Sequence, residues 1–138
     1  MSGIYVYLTF DGNCREAMQF YQECLGGELF FQTVGESPPG KNLEDKMKSM
    51  ILHATLINGN KILMASDMTP ETGISRGNTL SLFLECDSES EINNYFNKLV
   101  KDCRSSSPPG KTHYGDTFGN LTDKFGIHWM LSYSQKMI

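Results

Sequence analysis

Paired cysteines, clustered positive charge, long apolar runs and histidine are all scarce in this chain, and each scarcity removes a class of function. The four cysteines, Cys14, Cys24, Cys86 and Cys103, form no CxxC pair. Neither a zinc knuckle nor a dithiol redox motif is signalled, and buried or partly buried free thiols are expected. Lys and Arg number 12 against 16 Asp and Glu, a formal net charge of -4, with no basic cluster. Nucleic acid rewards concentrated positive charge, so no nucleic-acid partner is expected. No apolar stretch approaches the roughly 20 residues that cross a bilayer, and Met1-Ser2-Gly3-Ile4 lacks a charged n-region and an apolar h-region. A cytoplasmic protein with no membrane partner is predicted.

What the chain does have is a repeat. Ile4-Tyr5-Val6-Tyr7-Leu8-Thr9-Phe10 alternates apolar with wetter residues, as a strand buried on one face does, and Leu80-Ser81-Leu82-Phe83-Leu84-Glu85 does the same. The strands end at Asp11 and Asp87, and the spacing from Asp11 to Phe20 equals that from Asp87 to Phe96. In that register Tyr5 maps onto Ser81 and Tyr7 onto Phe83. An amphipathic helix follows each strand, with Ala17, Phe20, Tyr21, Cys24 and Leu25 on one face of the first and Ile92, Phe96, Leu99, Val100 and Cys103 on one face of the second. Ser88 with Glu91 is a capping box at a helix start, and Gly26-Gly27 is a helix stop.

Three strand-like stretches follow each helix. In the first half they are Glu28 to Val34, Ile51 to Ile57 and Lys61 to Ser66, the last two joined by the hairpin signal Asn58-Gly59-Asn60. In the second half they are weaker: a short piece near Arg104 to Ser107, one around Gly119 to Thr122, and Ile127 to Tyr133. Gly35 to Lys48, Asp67 to Asn78 and Ser105 to Lys111 read as polar or flexible connections. The order βαβββ, twice, predicts an α+β domain over 1–138, with module one about 1–68 and module two about 79–138.

The chain resembles the vicinal oxygen chelate superfamily, the glyoxalase/bleomycin-resistance/dioxygenase fold, and within it the PhnB-like branch. The residues that carry the resemblance run from Tyr7-Leu8-Thr9-Phe10-Asp11-Gly12 through Met18, Phe20-Tyr21 and Gly26-Gly27. They continue with His53-Ala54, Ser66-Asp67, Tyr114 to Gly119 and Thr122 to Met130. The resemblance implies two tandem βαβββ modules forming a curved, mostly antiparallel sheet around a cavity, with the helices on the outer face. It also implies a homodimer. Older descriptions of this branch mention a ubiquinone methyltransferase, but no Gly-rich strand-to-helix turn suited to S-adenosylmethionine is present.

Catalytic relatives of the glyoxalase kind hold a divalent ion with four side chains, usually His and Glu. Carried over by the loops and the repeat, those positions fall on or beside Tyr5, Met64, Ser81 and Met130, which are not ligands for a hard ion. With only three histidines, His53, His113 and His128, the remaining metal alternative is a set of His53, His128 and Glu85. The expectation is therefore no cofactor and no metal.

Period two sorts the strand faces. Ile4, Val6, Leu8 and Phe10, with Leu80, Leu82 and Leu84 and with Ile127, Trp129 and Leu131, face the helices, as do Leu52, Ala54 and Leu56. The opposite side receives Tyr5, Tyr7, Thr9, His53, Thr55, Met64, Ser66, Ser81, Phe83, Glu85, His128 and Met130. Such a wall of aromatic and Met side chains with a few polar groups suits a small, partly apolar or aromatic metabolite. His53 is the candidate for proton transfer, set against a buried, hydrogen-bonded structural role. Tyr114 and Asp116 stand where the resemblance leads one to expect Trp-Gly-Asp and are expected to cap the pocket, while Asp123 shapes a turn. Three functions follow as alternatives: metal-free small-molecule binding or weak catalysis, a divalent-metal lyase or dioxygenase, and self-association with a filled cavity.

Overall fold

The structure is a computed structural model and describes residues 2–37 and 42–135; the Pro38-Pro39-Gly40 part of the first connection lies outside them. The chain divides into two compact units, one up to Ser75 and one from Arg76.

In the first unit the order is β1 (Val6–Thr9), α1 (Cys14–Leu25), β2 (Glu28–Thr33), a 3-10 turn at Val34–Glu36, α2 (Asp45–Lys48), β3 (Ile51–Asn58) and β4 (Lys61–Ser66). The strands form a sheet in the order β1-β4-β3-β2, parallel only between β1 and β4. Helix α1 lies on one face because its apolar stripe is continuous: Ala17, Met18, Phe20, Tyr21, Cys24 and Leu25 are all buried. Against them the sheet buries Leu8, Ala54, Leu56, Leu63 and Ala65. Each large apolar side chain so covered contributes about 2 kcal/mol.

Both ends of α1 are tied to the sheet. Asp67, buried just past β4, takes the amides of Gly12 (2.9 Å) and Cys14 (3.0 Å) on one carboxylate oxygen and that of Ile51 (2.9 Å) on the other. At the far end Asn58 donates its side-chain amide to the Leu25 carbonyl at 2.7 Å. Gly27 has a φ of 97°, and a Cβ there would collide with the Ile57 carbonyl oxygen, so glycine is required at this close approach.

In the second unit β5 (Leu82–Cys86), α3 (Glu89–Leu99), β6 (Ser105–Lys111), β7 (Thr117–Thr122) and β8 (His128–Tyr133) repeat the plan, with strand order β5-β8-β7-β6. Again only the pairing of the first and last strands, here β5 with β8, is parallel. Ile92, Phe96 and Leu99 of α3 are buried, as are Leu84, Leu121, Trp129 and Leu131 of the sheet. Two predicted α+β modules are thus present, in the predicted βαβββ order. Among the described residues no helix is long and apolar enough to cross a membrane.

Several expectations need correction. Ser105 to Lys111 is not a flexible connection but strand β6. Its prolines are tolerated because β6 is an edge strand, and its register to β7 shifts between Ser107 and Gly110. The first connection is not an unstructured loop either, since its described residues include a 3-10 turn and the short helix α2. Ile4 and Leu80 do not pack under a helix: they precede their strands and are exposed. Leu52 is displaced by a register shift opposite Gln32 and Thr33, which leaves Ile51 buried in its place. Ser88 does accept the Glu91 amide at 3.0 Å, but Glu91 returns to the amide of Asp87, one residue before the expected partner.

Candidate functional site

Side chains paired across a sheet share a face, and the first unit's uncovered face is lined by such a row. Tyr7 of β1 pairs with Met64 of β4, Met64 with Thr55 of β3, and Thr55 with Phe30 of β2. Four strands at about 4.8 Å spacing make this row ~14 Å wide, enough for a single aromatic or short aliphatic molecule lying across it. Tyr7 and Phe30 are both more than half exposed. Phe30 was not among the residues expected here. The signal was present, since in Leu29-Phe30-Phe31 the two rings fall on opposite faces, and Phe31 instead meets the Arg15 guanidinium, 4.8 Å from its ring centre.

His53 lies two residues along β3 from Thr55 and opposite Gln32. Its Nε2 is 2.9 Å from the Thr55 hydroxyl and its Nδ1 3.4 Å from the Tyr7 hydroxyl, with the Tyr7 and His53 rings 5.7 Å apart. Because a hydroxyl either donates or accepts, both imidazole tautomers and the imidazolium are accommodated. The half-buried ring thus has both nitrogens engaged by hydroxyls and stands beside the row. Thr9 pairs with Ser66 one row further on, but Ser66 is buried and its hydroxyl accepts the Met68 amide at 3.1 Å. Tyr5 precedes β1 and is exposed.

The second unit carries a comparable face. Phe83 of β5 pairs with Met130 of β8 and Met130 with Asn120 of β7; Glu85 pairs with Ser132, and Ser132 with Phe118. Phe83 and Met130 are exposed, as is Glu85. Asn120 and Phe118 went unpredicted because the β7 stretch alternates only weakly. His128 has no spare nitrogen: it donates from Nε2 to the Gly77 carbonyl at 2.8 Å and accepts the Thr122 hydroxyl on Nδ1 at 2.7 Å. It ties the segment before β5 to β7 and β8. Ser81, just before β5, is exposed.

Tyr114 and Asp116 belong to the turn joining β6 and β7. The Thr112 amide donates to the Asp116 carbonyl at 2.7 Å and the Gly115 amide to the Thr112 carbonyl, leaving Tyr114 exposed at the tip. Asp123 shapes a turn as expected, taking the Phe125 and Ile127 amides on Oδ1, and it also receives the Trp129 indole N–H at 2.9 Å on Oδ2.

Among the described residues no three His, Cys, Asp or Glu side chains come together in a way that could hold a metal ion. Tyr5, Met64, Ser81 and Met130, which the resemblance sets at or beside the superfamily's metal positions, offer a phenol, two thioethers and a hydroxyl, a donor set that does not fit a hard divalent ion. S-adenosylmethionine fits no better at the turn between β1 and α1. That turn has one glycine, Gly12, and the amides of Gly12 and Cys14 are already taken by Asp67.

Comparison with known proteins agrees with this architecture. Residues 2–132 match the family described as 3-demethylubiquinone-9 3-methyltransferase. The chain is 30% identical over 137 residues to Protein YjdN of Escherichia coli, covering 91% of each. Protein PA1353 from Pseudomonas aeruginosa superposes with a TM-score of 0.83 at 37% identity, over 99% of this chain and 100% of that one. A PhnB protein from Bacillus cereus gives 0.73 at 28% identity, over 96% of this chain and 100% of that one. At 16% identity and a TM-score of 0.57, over 98% of this chain and 100% of that one, a bleomycin-binding protein complexed with bleomycin shares the fold.

Proposed function

The chain belongs to the family described as 3-demethylubiquinone-9 3-methyltransferase, PhnB-like proteins of the glyoxalase/bleomycin-resistance fold, and from that premise we propose that it binds a small, partly apolar or aromatic metabolite on its uncovered sheet face. The observation that carries the reading is the row Tyr7, Met64, Thr55 and Phe30, beside which stands the His53 imidazole. A sheet face turned to solvent favours polar residues, whereas this one holds two exposed rings and a thioether around a few polar groups, the composition of a ligand surface. Tyr7 and Phe30 stack on the ligand's apolar body. Thr55 and His53 bond to a polar handle.

Methyl transfer is not part of this proposal, because the turn between β1 and α1 does not fit the methyl donor. A divalent-metal lyase or dioxygenase is not adopted either, on the ground of the donor set above. Tyr5, Thr9, Phe83, Glu85, Met130, Tyr114 and Asp116 are secondary candidates for ligand contact, and the chain is proposed to act as a homodimer in the cytoplasm. The fold relative complexed with bleomycin supports small-molecule binding as a use of this architecture.

The test is a thermal-shift screen of a metabolite library, with hits titrated against the wild-type chain and against Phe30→Ala and Tyr7→Ala. A hit that loses affinity in both variants supports the reading. Hits that bind both variants as tightly as wild type, or a library without hits, would overturn it.

A further inference from the structure

A cavity of about 520 Å³ opens in the first unit where β1, β2 and β4 end and β3 begins. Ligand pockets commonly run from about 300 to 1,000 Å³. It shares no residue with the Tyr7 row or with His53, so nothing said about it depends on the reading of the sheet face. Its walls are apolar: Leu43 and Met47 come from the segment around α2, Met50 and Leu52 from the start of β3, and Met68 from the segment after β4. Leu52 reaches this wall because of the register shift opposite β2. Met47 and Met68 remain substantially exposed, which is unfavourable unless something covers them, and methionine adapts its shape to what it covers.

The polar groups of the lining select the charge of the occupant. Asp67 has both carboxylate oxygens taken by backbone amides. Thr69 donates to the Phe10 carbonyl at 2.8 Å and Ser37 to the Val34 carbonyl at 2.6 Å. Asp11 is different. Its carboxylate is approached only by the Thr69 hydroxyl, at 3.4 Å, and no cation pairs with it among the described residues. Among the described residues that line the cavity there is no Lys, Arg or His. From these residues an anionic ligand would meet two carboxylates and no counter-charge, while an ammonium finds one acceptor at the edge of an apolar chamber.

We infer that this cavity is a second binding site, for a small apolar molecule carrying a cationic amine, with the apolar body against Met47, Met50, Leu52 and Met68 and the ammonium at Asp11. The probe is n-octylamine, with 1-octanol and octanoate as neutral and anionic matches, titrated into chain carrying carbon-13 methionine methyl groups. Octylamine is expected to move the Met47, Met50 and Met68 methyl signals and leave Met64 and Met130 in place. It should bind roughly fivefold more tightly than octanol at low salt, the range of a single exposed charge pair, and octanoate should bind weakest. Asp11→Asn, an exposed change that spares the fold, should equalise amine and alcohol, and Met47→Trp should weaken both by filling the chamber. Equal affinity of the amine and the alcohol for the wild-type chain would overturn the inference. So would shifts confined to Met64 or Met130, or none at all.

Discussion

Asp67 accepts the amide of Cys14 at 3.0 Å, so a buried carboxylate behind β4 holds the first residue of α1. The same side chain holds the start of β3 through Ile51. Asp67→Ala would leave three amides without their acceptor, two of them in buried hydrogen bonds. An unfolding free energy lower by about 3 kcal/mol is expected, from the cost of unsatisfied buried donors. Urea denaturation measures it, and a loss below about 1 kcal/mol would show that water enters and replaces the carboxylate.

Gly27 tests a different kind of constraint. Its φ of 97° disfavours any side chain, and a Cβ would run into the backbone of Ile57. Gly27→Ala should cost about 2 kcal/mol or more. By contrast Gly59→Ala, at a φ of 59° with open space around it, should cost about 1 kcal/mol, from the left-handed conformation alone. Equal losses in the two variants would mean that the collision at Ile57 is relieved by a small shift of the chain.

Much of this architecture is legible in the sequence because its signals are local. The period-two alternation of β1 and β5, the helical stripes of α1 and α3 and the Asn58-Gly59-Asn60 turn each follow from a few adjacent residues. The failures have a common cause in distant pairing. Arg104 to Ser107 reads only as a short strand-like piece, and Pro108 to Lys111, with two prolines and a glycine, extend it into β6 only because β7 supplies the partner. The register shift at β3 that moves Leu52 out of the core depends on β2, which no window around Leu52 contains. For the site, face assignment worked for Tyr7, His53, Thr55 and Met64. It could not tell that His128 is fully engaged, because its acceptor, the Gly77 carbonyl, lies 51 residues away.

The cysteines separate by environment. Burial, and next to it the negative charge of Asp67, push the Cys14 thiol from 9.0 up to about 12, while Cys103 is only half-buried. In the folded chain at pH 8 iodoacetamide should label Cys103 and spare Cys14, read by peptide mass spectrometry. The unfolded thiol ionises near 9 and the folded one only near 12, so below pH 9 the Cys14 contribution to stability is fully present. It is lost as pH rises from about 9 to 12. A melting temperature that falls across that window in wild type, and falls less in Cys14→Ala, is the expected signature. Labelling of Cys14 as fast as Cys103 would instead place its thiol within reach of water.

His53 and Tyr7 can be separated from the scaffold because neither belongs to the buried core. His53 is half-buried and bonds only to hydroxyls, so His53→Ala should cost no more than about 1 kcal/mol of stability, the scale of one net hydrogen bond. If it meets the ligand's polar handle, the same change should weaken binding of a screened hit by about tenfold, and Tyr7→Phe, which keeps the ring and removes the hydroxyl, should weaken it less than Tyr7→Ala. The discriminating measurement is the pair of values together, calorimetric affinity and urea midpoint, for all three variants. A large stability loss in His53→Ala with unchanged affinity would mean that the imidazole props Tyr7 and Thr55 apart and touches nothing else. An affinity loss in Tyr7→Phe equal to that in Tyr7→Ala would move the ligand contact from the ring to the hydroxyl, and with it the polar handle from His53 to Tyr7.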